Sequence, residues 1–434
     1  MTAKTSIRRV AFASFIGTTI EWYDYLIYGS AAALVFPKLF FPNFSAFAGT
    51  LASFATFGVG FFAGPVGGIV FGHFGDRVGR KSMLVATLLL MGTATFLVGL
   101  LPTFKTWGIF APMLLVVLRF LQGFAVGGEW GGATLMAVEH APDKDRTYYA
   151  SWPQLGVPAG LMLSTAIFAL LTSVTKEHFL DWGWRIPFLL SFLLVAVGLF
   201  VRMRLTESPA FEQVKKLGAE SKMPFVELLR DYPVESILAV CIALTGVSGF
   251  YIATVFAMSY VTQRFSIPST MALVGVLLAG TAEFVTTLVF ARIADRVGKK
   301  TVAIWGAGCV VLFSYPYFWL LDTGRTALIW LAMSALLVLI TPVYSIMGAL
   351  FSELFATRVR YSGISFGYQM GRMIAGAPAP IIATALVHWS GGTSWPVATY
   401  LAVTALITFI AVCVVARRSK LSIVEELEVQ PSDA

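Results

Sequence analysis

Apolar residues run along this chain in long, almost unbroken blocks, set apart by short clusters of charge, Pro and Gly. Twelve blocks can be marked: Val10–Phe36, Phe47–Gly72, Ser82–Leu101, Ile109–Val138, Tyr148–Ser173, Trp184–Val201, Ser236–Thr262, Ser269–Ala291, Thr301–Leu321, Thr326–Glu353, Tyr361–Trp389 and Trp395–Ala416. Each is near or above the ~20 residues that a helix needs to cross the hydrocarbon of a bilayer. Two-residue alternation, the mark of a lipid-facing barrel, is missing. The pattern predicts an all-α membrane protein with twelve transmembrane helices.

Composition agrees. Of the 434 residues, 57% are hydrophobic and 12% charged, against about 25% charged in an ordinary soluble domain. Mean hydropathy is +0.79. A water-soluble fold has no way to cover so much apolar side chain. The net charge of +8 reports orientation rather than nucleic-acid binding. With the N-terminus placed in the cytoplasm, 23 of the 31 Lys and Arg fall in the tails and the even-to-odd loops. Six fall opposite (Lys38, Lys105, Lys176, Arg185, Arg264, Arg325), and Arg119 and Arg372 lie inside helices. The positive-inside rule then puts both termini in the cytoplasm. The first helix is too long for a signal peptide and is expected to be retained. The acidic tail after Lys420 is expected to fray.

An internal repeat gives the organisation. Gly72-His73-Phe74-Gly75-Asp76-Arg77-Val78-Gly79-Arg80-Lys81 is echoed by Ala291-Arg292-Ile293-Ala294-Asp295-Arg296-Val297-Gly298-Lys299-Lys300. Asp76 and Asp295 are 219 positions apart, about half the chain. The expected domains are a six-helix bundle over 1–201, a cytoplasmic linker over 202–235, a second bundle over 236–416 and a tail over 417–434. Such repeats mark transporters that rock two bundles about a midplane site. Both copies are expected as loops in which glycines 75, 79 and 298 permit tight turns. Asp76, Arg77, Gly79, Arg80, Asp295 and Arg296 are the expected conformational latch.

At these residues the chain resembles the major facilitator superfamily, through Asp76-Arg77-x-Gly79-Arg80-Lys81. Further segments narrow the resemblance to metabolite:proton symporters: Ile20-Glu21-Trp22-Tyr23-Asp24-Tyr25, the run from Arg119 to Gly132, Gly183-Trp184-Arg185-Ile186-Pro187-Phe188, Glu207-Ser208-Pro209-Ala210-Phe211 and Arg360 to Gln369. Thr50 to Gly60, with Glu129-Trp130, is most similar to the shikimate-permease branch. The resemblance implies proton-coupled uptake of a small organic acid or zwitterion. It also implies a bacterial inner membrane, and helices 2 and 11 facing each other across the halves.

Charges inside hydrocarbon are costly, so each is a candidate for function. Glu21 and Asp24 share one face of helix 1, and helix 4 carries Arg119 and Glu129. Asp24 is expected to carry the proton with Arg119 as its partner, and Glu21 and Glu129 to modulate it. A fixed structural ion pair is the alternative. Relatives that carry carboxylates have Arg-Pro in helix 2, where this chain has Gly64-Pro65. Arg372 on helix 11 is expected to supply that missing cation, with Glu283 as its counter-charge in the empty state. A structural Arg372–Glu283 pair is an equal alternative. Gln122, Gln154, Tyr28, Tyr251, Tyr344, Tyr368 and Gln369 complete the expected substrate site.

No enzyme chemistry is visible. His73, His140, His178 and His388 share no metal-ligand spacing, nor do Cys241, Cys309 and Cys413. Walker and Gly-x-Ser-x-Gly motifs are absent. The expected partners are a small-molecule substrate, protons and the bilayer, with no nucleic acid, no metal and no cofactor beyond the proton gradient; the expected state is a monomer. The alternatives are a proton antiporter exporting drugs or metabolites, and a betaine or proline symporter.

Overall fold

The computed structural model describes residues 7–203, 207–216, 223–376 and 378–428. Parts of the expected linker and the end of the tail lie outside that range. Lipid offers no partner for a backbone N–H or C=O, so an apolar run satisfies its own groups as a helix. Among the described residues twelve long helices result: α1 Ile7–Leu34, α2 Ala46–Val78, α3 Arg80–Leu100, α4 Phe110–His140, α5 Trp152–Thr175, α6 Arg185–Met203, α7 Pro233–Phe265, α8 Ser269–Val297, α9 Lys299–Asp322, α10 Thr326–Leu354, α11 Arg360–Trp389 and α12 Trp395–Glu428. Among the described residues, eleven are long and apolar enough to cross a membrane. The twelfth is α1, whose run holds Glu21, Asp24 and three tyrosines.

The packing repeats as the sequence does. In the first six helices α1 lies on α5, α2 on α4, and α3 on α4 and α6; in the last six α7 lies on α11, α8 on α10, and α9 on α10 and α12. Across the halves α2 meets α11, and α5 meets α8. Small residues set the closeness of these contacts: a methyl group at Gly123 would lie 2.1 Å from the Gly60 carbonyl, and one at Gly127 2.2 Å from that of Gly64.

Three boundaries differ from the sequence reading. The motif segments are helical rather than looped: α2 runs to Val78 and α8 to Val297, with Gly79 and Gly298 alone breaking the chain. Their φ angles of 129° and 100° are open only to residues without a Cβ clash. Gly75 makes no turn; it leaves room for the Tyr361 ring, which a methyl would meet at 2.0 Å. The first six-helix segment extends past Val201, because α6 continues to Met203 and buries Arg202. Likewise α12 stays helical to Glu428 instead of ending at Ala416.

Two helices are irregular where they reach the middle of the molecule. α7 has a π-helical turn at Ile252–Phe256, directly after Tyr251. α11 is helical over Arg360–Ala375 and again from Ala379, so Arg372 sits in the last turn of its first piece. A cation there is favoured by the carbonyl end of the helix dipole.

Candidate functional site

A cavity lies between the halves. Trp22 of α1 and Val157 of α5 line it from one side; Gly246, Val247, Phe250 and Tyr251 of α7, Glu283 of α8, Tyr344 of α10, and Tyr368 and Arg372 of α11 line it from the other. Its volume is about 20 Å3, room for a water and no more. Arg372 Cζ lies 5.2 Å from the Trp22 ring centre, 5.4 Å from Tyr25, 5.6 Å from Phe61 and 5.7 Å from Tyr368. Trp130 stacks on Tyr368 at 3.8 Å and donates to Gln154 Oε1 at 2.8 Å. Gln154 in turn donates to the Tyr344 carbonyl at 3.0 Å, joining the halves beside the cavity.

The expected Arg372–Glu283 ion pair is not formed. Both side chains reach the cavity, but among the described residues no carboxylate lies within 4 Å of Arg372, and Glu283 Oε2 is buried without a partner. Aromatic rings take the place of the counter-ion. Of the other expected site residues, Tyr251, Tyr344 and Tyr368 line the cavity. Gln369 lies one turn away, donating to the Val126 carbonyl at 3.0 Å, opposite Gly64. Gln122 and Tyr28 are deeper in the first half: Gln122 donates to Thr95 at 2.8 Å, and Tyr28 to Thr56 at 2.9 Å.

The first half holds a second cluster. Glu21, Asp24 and Glu129 line a void of about 10 Å3 with Thr87. The expected Asp24–Arg119 pair is not made. Asp24 accepts from the Ser191 hydroxyl through one oxygen and leaves the other unpartnered. Arg119 instead faces rings, with Cζ 4.0 Å from Tyr25, 4.4 Å from Tyr28 and 4.5 Å from Phe57. Its hydrogen bonds go to the Phe57 carbonyl and Gln122 Oε1, both at 3.3 Å. Glu129 is held by Arg202, which donates to both of its oxygens, and accepts from Thr87 at 2.7 Å. Arg202 reaches it past Gly17, where a methyl would overlap the guanidinium. Sequence reading missed Arg202 because it follows the apolar run and counts as a loop residue; its only signal was its position at the very edge of that run.

At the end of the molecule that carries both motifs the halves are bolted together. Asp76 accepts from the backbone N–H groups of Tyr361 (3.2 Å) and Ser362 (2.9 Å), in the first turn of α11. Asp295 accepts from those of Thr147 (2.9 Å) and Tyr148 (2.8 Å), just before α5. Both carboxylates thus satisfy orphan donors of a helix in the opposite half. Arg80 donates to the Thr357 carbonyl at 3.0 Å and lies 3.7 Å from Glu139, which also meets Arg360 at 3.3 Å. Glu207 accepts from Arg80 N–H at 3.1 Å, and Ser208 donates to Glu139. Arg77 and Arg296 of the expected latch are exposed; Arg77 reaches His73 of its own helix, at 3.4 Å. Glu139, Glu207 and Arg360 were not anticipated as members of this network.

Among the described residues, twelve helices in repeated packing, an aromatic-lined cavity between the halves that holds Glu283 and Arg372, and helix-capping carboxylates closing one end define a membrane transporter. The chain belongs to the Major Facilitator Superfamily, whose family model matches residues 11–378. It is similar to the shikimate transporter of Escherichia coli K12, 43% identical over 92% of each chain. It is also similar to the inner membrane metabolite transport protein YhjE of that organism, at 42% identity over 94% of this chain and 93% of YhjE. The proline/betaine transporter of E. coli K12 is 31% identical over 93% of this chain and 82% of its own. In fold it matches the proton:xylose symporter XylE with a TM-score of 0.75, 94% of each chain covered and 15% identity. The protein is a transporter and not an enzyme.

Proposed function

We propose that this protein is a symporter of a bacterial inner membrane that takes up a small hydroxylated carboxylic acid of the shikimate kind together with protons. Residues 1–201 and 236–416 rock as two bundles about the central cavity, joined by 202–235. The basic loops put the motif end and both termini in the cytoplasm, so the form described is closed to the cytoplasm. Asp76 and Asp295 act as the latch of that closure. Asp24 and Glu21 hold the transported proton, while Glu129 is anchored by Arg202. One chain suffices as the working unit.

The observation that carries this reading is Arg372, a buried guanidinium at the cavity wall with aromatic faces and, among the described residues, no carboxylate within ion-pair reach. A guanidinium fork grips a carboxylate through two parallel hydrogen bonds. The cavity must widen to take a metabolite, which separation of the bundles provides. A second reading is favoured by the ring of Trp22, Phe250, Tyr251, Tyr344 and Tyr368 beside Glu283, an aromatic box suited to a quaternary ammonium. The substrate is then betaine or proline, as named for the third relative. The test is uptake of labelled shikimate and betaine into proteoliposomes. An inward proton gradient should drive shikimate accumulation and a protonophore abolish it. An antiporter would be slowed by the same gradient.

A further inference from the structure

Arg119 is fully buried in α4, and among the described residues no carboxylate lies within 4 Å of it. Its Nη2 makes no hydrogen bond of good geometry. A cation in that position is costly to keep, and ring faces offset only part of the cost. The Tyr25 ring that lies 4.0 Å from Arg119 is also 5.4 Å from Arg372. The two guanidinium carbons are therefore less than 9.4 Å apart, the sum of those distances, with one electron-rich ring serving both. Arg119 comes from the first half of the chain and Arg372 from the second.

We propose that Arg119 is a substrate-binding residue, the second arm of a two-guanidinium clamp that closes on one carboxylate, with Tyr25 as the placeholder that the carboxylate displaces. This rests on the reading of the protein as a carboxylate transporter and adds to it the residue that reads the substrate's charge from the first half. Two like charges repel when only a ring lies between them, and an anion between them turns that repulsion into attraction. Because the arms belong to different halves, the same event draws the halves together over the substrate. Gly60 makes room for the arm: a methyl there would lie 2.8 Å from Arg119 Nε.

The test uses the purified full chain, with shikimate and glycine betaine as probes, since each carries one carboxylate. Affinity is measured by calorimetry at pH 5.5 and 7.5 for the parent, Arg119→Gln, Arg119→Lys, Arg372→Lys and the double Lys variant. For the probe that binds the parent, each single variant should weaken affinity at least tenfold at both pH values. The double variant should lose less than the product of the single losses, because both arms hold one group. Arg119→Lys keeps the charge but not the fork, so it remains informative where Arg119→Gln does not fold. If Arg119→Lys and Arg119→Gln bind as the parent does and only proton-driven accumulation fails, Arg119 serves the proton step and the clamp is refuted. If the parent binds neither probe, the carboxylate reading falls and the clamp with it.

Discussion

Asp76, the last carboxylate of α2, holds the backbone N–H of Ser362 in the first turn of α11 at 2.9 Å, although 286 positions separate them. A hydrogen bond to a charged group is worth about 1.5–3 kcal/mol, and Asp76 makes a second one to Tyr361. Asp76→Asn keeps the shape and removes the charge. It should shift the conformational equilibrium away from closure at the motif end by at least about tenfold. Turnover should fall more than affinity does, which paired uptake and binding titrations check. Asp295→Asn should do the same from the other side.

Closure can be opposed without touching a charge. A methyl at Gly72 would lie 2.8 Å from Ser362 Cα, a backbone atom that has little freedom to yield. Gly72→Ala should leave each half folded and hold the motif end apart. Single cysteines placed in the α2–α11 seam should be alkylated faster in this variant than in the parent.

Arg372→Gln should abolish uptake while expression and unfolding temperature stay near the parent's. Because no Arg372–Glu283 pair exists here, Glu283→Gln should not rescue it. Rescue of folding by that second change would reinstate a structural pair.

The Arg202–Glu129 pair is predicted to be structural. Removing one partner strands a buried charge at a cost of about 3–5 kcal/mol, whereas replacing both with apolar residues is often near neutral. Arg202→Met should lower the unfolding temperature in detergent strongly, and Arg202→Met with Glu129→Met should recover most of the loss.

Asp24→Asn removes a protonatable group that accepts from the Ser191 hydroxyl. Counterflow exchange of substrate should persist, while accumulation driven by an outside-acid gradient should vanish. A variant that still accumulates shifts the proton role to Glu21.

Helix number was legible in the sequence because bilayer thickness dictates it; helix ends such as Val78, Val297 and Glu428 were not, because polar turns continue a helix past the apolar run. The half-length repeat was legible because Asp76 and Asp295 keep one context. Depth can be counted along each helix: Gly64 and Glu283 each lie twelve residues before their motif Asp, and Arg372 lies twelve after Arg360. Rotation could not be counted. Whether Arg119 turns toward Asp24 or toward Tyr25, and whether Arg202 turns inward at Gly17, depends on which helix lies alongside, and no spacing within a single helix encodes that. Ion-pair partners were for this reason the least readable part of the chain. Of the aromatic partners of Arg119 and Arg372, Tyr28 and Tyr368 were among the expected site residues, whereas nothing in their spacing distinguishes Trp22, Tyr25 and Phe57 from ordinary packing rings.

The water-sized space at the centre bears on how blockers of this protein should be sought. Molecules chosen for fit to the closed form would be too small to be selective. A competitive blocker has to recognise the parted form and wedge it open, so its strength will include the work of prying the α2–α11 seam. Compounds ranked against the parent and against Gly72→Ala should therefore keep their order but differ by a constant factor, and that factor measures the seam.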